Sequence, residues 1–318
     1  MYGSKGSDAV LRGILPVLPT PFRPDGAIDE AAMRRLVAFA LGSGVDGVVF
    51  PGFASEVESL SGEERRRLLA VVVDAVAGQV PVVAGASAAS LEETIAHCRD
   101  ALAAGVGSVM IQAPRGIGAD REAVTAFFRG VAEAVPGLEI VLQNAPAPRG
   151  SDLDPRTILA VVRDVPAVRW VKEETLPSGP AITAILAEAP AHLAGVIGGG
   201  GARYILDEYA RGACGAMPAL ELADLHVALD RAWQAGDRAR ARALYMRSLP
   251  LLALQALYRM RLTKHVLRRR GVLHNAEVRA PTPELDPWST ADIDGWFDEV
   301  ADLLTVMPPA AAEAVGAR

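Results

Sequence analysis

The chain has 318 residues, of which 51% are hydrophobic and 22% charged, and this composition is typical of a globular protein and excludes a mostly disordered one. The length suits two ordinary domains or one large barrel-type domain with an additional segment. The net charge of −6 argues against a surface for nucleic acid or anionic membranes. We therefore expect a small-molecule partner, no nucleic acid and no membrane.

The cysteines and histidines give no sign of a disulfide framework or a metal site. Cys98 and Cys214 form no CxxC motif, and the five histidines show neither HxH nor HxxxH spacing. We find no apolar signal region near residue 1 and no apolar run long enough for a membrane span. The sequence therefore predicts a cytoplasmic protein that binds no metal.

Eight short apolar or β-branched runs predict eight β-strands, separated by segments with helical periodicity. The strands begin near residues 14, 45, 81, 108, 139, 168, 193 and 213. The predicted helices between them cover residues 29–43, 61–77, 90–104, 120–135, 154–165, 178–189 and 202–211. Ser61 and Ser90 are each followed three residues later by a glutamate, as in a capping box. This alternation is typical of βα units with a parallel sheet.

Eight βα units close most simply as a (β/α)8 TIM barrel, so we predict an α/β fold of this kind. An open doubly wound sheet is the alternative, but no GxGxxG follows the first strand. After Pro218 the strand pattern stops, and helices are predicted at 221–235, 237–257, 263–270 and 290–304. We therefore predict a disordered N-terminus (1–11), a barrel (12–219), a C-terminal helical domain (220–305) and a disordered tail (306–318).

Lys172 is the strongest candidate for a catalytic group. Only three of the 32 basic residues are lysines, and Lys172 lies near the carboxyl end of the sixth strand, where a barrel presents its active site. Trp170 and Val171 make its surroundings apolar, and a desolvated amine has a lowered pKa and can attack a ketone to form a Schiff base. The alternative is a strand-end lysine whose stem packs and whose ammonium group reaches water.

Strand alternation places Glu174 on the same face as Lys172, and Glu173 on the opposite face. A carboxylate one position from an imine can move a proton from the neighbouring carbon, directly or through a water. An ion pair with an arginine is the alternative for Glu174. Two glycine-containing loops, 52–56 and 198–201, could bring backbone N–H groups to an anion or could simply turn the chain.

The order of these features resembles the dihydrodipicolinate synthase/N-acetylneuraminate lyase family over about residues 12–304. The matching residues are Pro19 to Phe22, Gly52, Glu56, Asn144, Pro146, Gly150, Lys172, Glu173, Gly198 and Gly199. The resemblance implies a homotetrameric (β/α)8 barrel with a C-terminal helical domain. It also implies that Lys172 forms an imine with a 2-oxo acid and that no cofactor is needed.

The departures from the family pattern concern the hydroxyl groups that relay protons. The usual Gly-Thr-Thr-Gly-Glu is Gly52-Phe53-Ala54-Ser55-Glu56 here, and the tyrosine of Tyr-Asn-x-Pro is replaced by Gln143. A second tyrosine, expected after the fourth strand, is also missing. A glutamine amide does not titrate and cannot act as the phenol does.

Gln143 together with Lys172 and Glu174 looks like the branch of this family that dehydrates 2-keto-3-deoxy sugar acids, such as 2-keto-3-deoxy-L-arabonate dehydratase. There the glutamine and glutamate would hold a water that carries protons. The predicted catalytic residues are Lys172, Gln143 and Glu174, and the predicted substrate-binding residues are Gly52, Ala54, Ser55, Asn144, Gly198, Gly199 and Met217. The alternatives are a class I aldolase of hydroxy-2-oxo acids, a dihydrodipicolinate synthase-like enzyme, and a barrel that binds a 2-oxo acid without turnover.

Overall fold

The computed structural model describes residues 10–306, in which eight parallel strands form one sheet. The strands are β1 Gly13–Ile14, β2 Val48–Val49, β3 Val82–Gly85, β4 Ser108–Ile111, β5 Glu139–Asn144, β6 Val168–Glu173, β7 Gly195–Gly198 and β8 Gly215–Ala216. Their order is β1-β8-β7-β6-β5-β4-β3-β2. Bridges from Val17 to Val49 and to Ala219 connect the β1 end to both neighbours, which closes the sheet as expected for a TIM barrel.

Helices alternate with these strands as predicted. They are α1 Glu30–Gly42, α2 Gly62–Val76, α3 Leu91–Ala103, α4 Arg121–Ala134, α5 Pro155–Asp164, α6 Ser178–Ala187 and α7 Ile205–Ala210. The side chain of Asp29 accepts a hydrogen bond from the first turn of α1, and Ser61, Ser90, Asp120 and Asp154 act in the same way on α2 to α5. Helix α7 starts later than predicted, because Gly200–Ala202 form a separate 3₁₀ turn.

Four further helices follow β8: α8 Ala223–Gln234, α9 Arg238–Tyr258, α10 Met260–Arg269 and α11 Pro287–Val300. Helices α9 and α10 are separated by a single residue, Arg259, at φ 51 and ψ −122. The fully buried Arg270 donates two hydrogen bonds to Asp224 of α8, and Asp224 also accepts from the amides of Thr305 and Val306. The end of the described chain is therefore fastened to α8.

The apolar core has two layers. Between the sheet and the surrounding helices lies the larger cluster, to which all eight α/β repeats contribute. A second cluster fills the barrel interior and includes Leu15, Val49, Met110, Trp170 and Met217. Since this interior is packed, the open space lies at the carboxyl ends of the strands.

Most of the two segments predicted to be disordered lies outside the described residues, 10–306. At their edges, Leu11 is buried in the barrel interior and Val306 is hydrogen bonded to Asp224 and Arg270. Within the described range, no helix is both long and apolar enough to cross a membrane. The same residues contain no group of three His, Cys, Asp or Glu side chains that could hold a metal ion.

Candidate active site

Lys172 and its partners lie at the carboxyl ends of β5 and β6. The two strands pair Gln143 with Lys172, so these side chains are neighbours across the sheet. Glu174 Oε1 lies 2.7 Å from Lys172 Nζ and accepts a hydrogen bond from Gln143 Nε2 at 2.9 Å. Its other oxygen accepts from Arg149 Nη2 at 2.6 Å. The three predicted catalytic residues are thus brought into direct contact, and Arg149 joins them.

The pKa of Glu174 follows from these contacts. Burial alone would raise the pKa of this carboxyl, but the charges of Lys172 and Arg149 and the hydrogen bond from Gln143 lower it to about 2. Glu174 is therefore a carboxylate at every physiological pH. The ionised form is the one that can accept a proton, although a pKa of about 2 makes Glu174 a weak base while Lys172 and Arg149 face it.

Glu173 points to the opposite side of the strand. Its oxygens accept hydrogen bonds from Asn144 Nδ2 at 3.0 and 3.2 Å, and Oε1 accepts from the amide and hydroxyl of Thr175 at 2.7 and 2.6 Å. Burial raises the pKa of Glu173 despite these bonds. The prediction that Glu174, and not Glu173, shares a face with Lys172 is confirmed. Asn144, predicted to bind substrate, is instead occupied by Glu173 and by the backbone of Leu153.

Two glycines at the carboxyl end of β7 are required by the side chains that pack on them. A Cβ atom on Gly199 would lie 2.3 Å from Glu174 Cγ, and one on Gly198 would lie 2.0 Å from Glu208 Oε2. Both distances are far below van der Waals contact. Gly199 thus makes room for the candidate base, whereas Gly198 makes room for a buried carboxyl outside the barrel. This explains both residues without a direct contact to substrate.

The loop after β2 is held by hydrogen bonds of its own. The Ser55 hydroxyl donates to Leu18 O and accepts from the Gly52 amide, and the Ser55 amide donates to Gly52 O. Ser55 is fully buried and its side chain holds this loop in shape, so its contact with the substrate stays a prediction. Ala54, the preceding residue, lines the cavity that contains Lys172.

Glu56 connects the same loop to the C-terminal helices. One oxygen pairs with the buried Lys264 of α10 at 2.5 Å, and the other accepts from the amides of Arg279 and Ala280 at 2.7 Å each. Burial lowers the pKa of Lys264 to about 8, although the charge of Glu56 opposes the shift. Lys264 therefore acts as an internal tether between this loop and α10, and its amine is not free to react with a substrate.

A cavity of about 50 Å³ adjoins Lys172 and Glu174. Two of the predicted substrate-binding residues, Ala54 and Met217, line this cavity. The rest of its lining includes Phe53, Arg149, Gly200, Gly201, Arg203, Gln255 and Arg259. A cleft of about 750 Å³ lies next to it and is lined by Gly52 and Gln143, among others. Phe53 and Arg149 line both spaces, and the Arg149 guanidinium lies 4.9 Å from the Phe53 ring centre. These two side chains form the wall between the cleft and the Lys172 cavity.

Comparison with known proteins agrees with this geometry. The profile of the dihydrodipicolinate synthetase family matches residues 10–292. The chain belongs to the dihydrodipicolinate synthetase family. Homologues in this family are lyases that use a Schiff base with a lysine and need no cofactor.

Members of the dihydrodipicolinate synthetase family resemble this chain to different extents. The chain is 34% identical to the 4-hydroxy-tetrahydrodipicolinate synthase of Symbiobacterium thermophilum over 265 residues, which covers 81% of this chain and 87% of that one. It is 38% identical to the enzyme of that name from Thermus thermophilus over 166 residues, 52% of this chain. This alignment spans only 55% of that relative. The crystal structure of dihydrodipicolinate synthase from Rhodopseudomonas palustris superposes with a TM-score of 0.84 at 27% identity and covers 91% and 97% of the two chains.

Sequence reasoning missed four residues of the site in this family member: Phe53, Arg149, Arg203 and Arg259. Phe53 was noted only as a departure from the family pattern, and Arg149 stands beside the matched Gly150. Arg203 lies in the loop between β7 and α7, where no residue pattern distinguishes it, and Arg259 separates α9 from α10, far from any strand. Only the packing of the C-terminal helices on the barrel brings Arg259 to the cavity.

The buried Glu208 makes a testable contribution to stability. Burial raises its pKa from 4.5 to about 7, while a hydrogen bond from Ser178 opposes the shift. A carboxyl whose folded pKa is raised loses stabilisation as the pH rises from its unfolded pKa to its folded pKa. The shift corresponds to about 3 kcal/mol between roughly pH 4.5 and pH 8. We expect Glu208→Gln to gain stability relative to the unaltered chain by about this amount over that range.

Chemical denaturation of both proteins at the two pH values measures this difference. The comparison is a double difference, so titrations shared by both proteins cancel. An identical pH dependence of the two free energies of unfolding would show that Glu208 does not titrate in this range.

Proposed function

We propose that this chain is a Schiff-base hydro-lyase that dehydrates a 2-keto-3-deoxy sugar acid, as 2-keto-3-deoxy-L-arabonate dehydratase does. The observation that carries the proposal is the contact of Lys172 and Gln143 with the single ionised carboxylate of Glu174. This arrangement provides an amine for imine formation and a base beside it. It provides no phenol, because no tyrosine is among the described residues that line the Lys172 cavity.

The first stage is formation of the imine. Lys172 must lose a proton before it attacks the C2 ketone, and Glu174 Oε1 is the acceptor at 2.7 Å. Attack forms a carbinolamine, and loss of the C2 oxygen as water leaves a protonated imine between Lys172 and C2. This positive charge withdraws electrons from C3 and makes its hydrogens acidic.

The second stage is elimination. Glu174 takes a proton from C3, and the resulting enamine expels the C4 hydroxyl, which leaves as water with the proton that Glu174 received. The conjugated imine then loses a proton from C5 and gains one at C3, which leaves an enol at C4 and C5, and this enol becomes the aldehyde when its hydroxyl proton moves to C4. Hydrolysis of the imine releases Lys172 and the product, a 2-keto acid semialdehyde. Over the whole cycle the substrate loses one molecule of water.

Gln143 acts in this scheme through Glu174. Its amide donates to Glu174 Oε1, the same oxygen that faces Lys172, and therefore fixes the orientation of the carboxylate. Carbon–carbon cleavage would need a base on the C4 hydroxyl, and condensation would need the hydroxyl relay that Phe53, Ala54 and Gln143 replace. Dehydration requires neither, so these substitutions favour it.

Product analysis tests the proposal. The purified protein is incubated with 2-keto-3-deoxy-pentonate, and the products are separated and identified by mass spectrometry. A semialdehyde of the same carbon number supports dehydration, whereas pyruvate plus an aldehyde would establish an aldolase. Binding without any turnover would establish a 2-oxo acid binding protein.

Synthase activity is a second candidate, because the relatives with high identity are named 4-hydroxy-tetrahydrodipicolinate synthase. Incubation with pyruvate and aspartate semialdehyde tests it directly, and condensation at a rate above that of dehydration would replace our proposal. We also propose that the protein is cytoplasmic and homotetrameric. Light scattering coupled to size-exclusion chromatography gives the mass that tests the tetramer.

A further inference from the structure

The Arg149 side chain stands between the open cleft and the Lys172 cavity. Together with Phe53 it lines both spaces. At roughly 10–15 Å³ for each water, the cavity of about 50 Å³ holds about four waters, whereas a five-carbon 2-keto-3-deoxy acid has about ten non-hydrogen atoms. A substrate bonded to Lys172 therefore extends beyond the cavity, and the cleft of about 750 Å³ behind Arg149 has room for it.

The guanidinium of Arg149 is held by few contacts. Nη2 donates to Glu174 Oε2 at 2.6 Å, and the Phe53 ring centre lies 4.9 Å away. Nε is buried but has no hydrogen-bond partner among residues 10–306. The backbone is fixed independently, since Gln112 Nε2 donates to Arg149 O at 2.8 Å. The guanidinium can therefore leave Glu174 while the loop that carries it stays in place.

The two oxygens of Glu174 differ in what surrounds them. Oε1 contacts Lys172 Nζ and accepts from Gln143, whereas Oε2 has Arg149 as its one partner within the described residues. Lys172 and Gln143 are held beside Oε1 because they belong to the paired strands β6 and β5. A base that takes a proton from C3 needs an oxygen that is open to the substrate. Oε2 becomes that oxygen once Arg149 leaves.

We propose that Arg149 is a gate and a positioning residue for the base: in the empty site it closes the passage and holds Glu174 Oε2, and substrate entry displaces it into the cleft. Displacement leaves Oε2 free to take the C3 proton, while Oε1 stays with Lys172 and Gln143. The inference rests on the proposed imine chemistry, in which Glu174 is the base. It couples the availability of this base to the presence of a substrate.

The charges around Glu174 agree with this role. Burial raises the pKa of Glu174, and the charges of Lys172 and Arg149 bring it down to about 2. The protonated imine keeps the positive charge at Lys172, so Arg149 is the cation whose departure raises the pKa of Glu174. The other charged groups that face Glu174 from neighbouring elements are Arg203, Arg259, Glu173 and Glu208. None of these four pairs directly with Glu174 in the described range 10–306.

Exchange of the C3 hydrogens of 2-oxopentanoate with deuterated solvent, followed by NMR between pH 4 and pH 8, tests the gate. This probe has five carbons but no C4 hydroxyl, so it cannot be dehydrated. Exchange at low probe concentration reports the ionisation of the empty site, and exchange at saturation reports that of the complex. In Arg149→Met we expect the pH at which low-concentration exchange falls to half to rise by about 1 to 3 pH units. At saturation this pH should be unchanged, because Arg149 is already displaced there.

Two further variants separate the charge of Arg149 from other effects. Arg149→Lys keeps a cation beside Glu174 and should retain the pH dependence of the unaltered protein at low probe concentration. Arg242→Gln removes an exposed arginine of α9 and should change exchange at neither concentration. A merely structural effect of Arg149→Met would alter exchange at both concentrations alike. Thermal melts verify that each variant is folded.

The borohydride-reduced adduct with 2-oxopentanoate gives a second measurement by crystallography. We expect the Arg149 guanidinium to lie in the cleft, more than about 4 Å from Glu174 Oε2. An intact Arg149–Glu174 pair in the adduct, or the same pH dependence in Arg149→Met and in the unaltered protein, would overturn the gate and leave the imine mechanism standing. Absence of exchange and of any trapped adduct would overturn the imine mechanism, and the gate with it.

Discussion

Lys172→Ala is expected to abolish covalent trapping of pyruvate by borohydride and to lower kcat by more than about 10⁴-fold. The reason is that Lys172 supplies the amine that bonds to the substrate, and within residues 10–306 no other lysine lines its cavity. Mass spectrometry of proteolytic fragments should locate the adduct on Lys172 in the unaltered protein and find none in the variant.

Lys264 provides the matched control. It is buried, and its amine is paired with Glu56 and with the backbone oxygen of Glu277. Lys264→Arg keeps the positive charge beside Glu56, so the adduct on Lys172 should remain. An adduct on Lys264, or none on any lysine of the unaltered protein, would contradict the Schiff-base mechanism.

Glu174→Gln is expected to lower kcat by about 10²- to 10⁴-fold while imine formation survives. The variant removes the carboxylate that takes the C3 proton but keeps the amine of Lys172. It also places an amide where Gln143 and Arg149 both donate to carboxylate oxygens. Exchange of the C3 hydrogens of bound pyruvate with deuterated solvent, followed by NMR, measures the proton-transfer step by itself.

Glu173→Gln is the matched control on the opposite face of the strand. Its effect on exchange should be smaller, because Glu173 contacts Asn144 and Thr175 and lies away from Lys172. A loss of thermal stability is expected instead, since this buried carboxylate accepts several hydrogen bonds. Fast exchange in Glu174→Gln combined with arrested exchange in Glu173→Gln would reverse the roles that we assign.

The elements of the fold could be predicted because their signals are local. An apolar run of four to six residues, or a cap such as Asp29 followed by an amphipathic segment, defines an element within a few neighbouring positions. The late start of α7 was missed because it depends on the glycines at 200 and 201, which both have positive φ. Closure of the barrel through Val17 could be inferred only from the number of strands.

The site was predictable where side chains belong to strands. The two-residue period of β6 places Lys172 and Glu174 on one face, and the parallel pairing with β5 brings Gln143 beside them. Ser55 and Asn144 have polar side chains, and only the structure reveals that Leu18, Gly52, Glu173 and Leu153 already occupy them. Arg259 reaches the site only through the packing of the C-terminal helices, over a long separation in sequence that no local pattern encodes.

The tether at Glu56 bears on how such enzymes can be recombined. Glu56 belongs to the loop that places Ala54 at the cavity, yet its partners are Lys264 and the amides of residues 279 and 280. A chimera that joins this barrel to the helices of another family member would carry the substrate loop of one parent and its anchor from the other. Exchange of segments between relatives should therefore keep residues 52–56 together with 264 and 277–280 as one inherited unit.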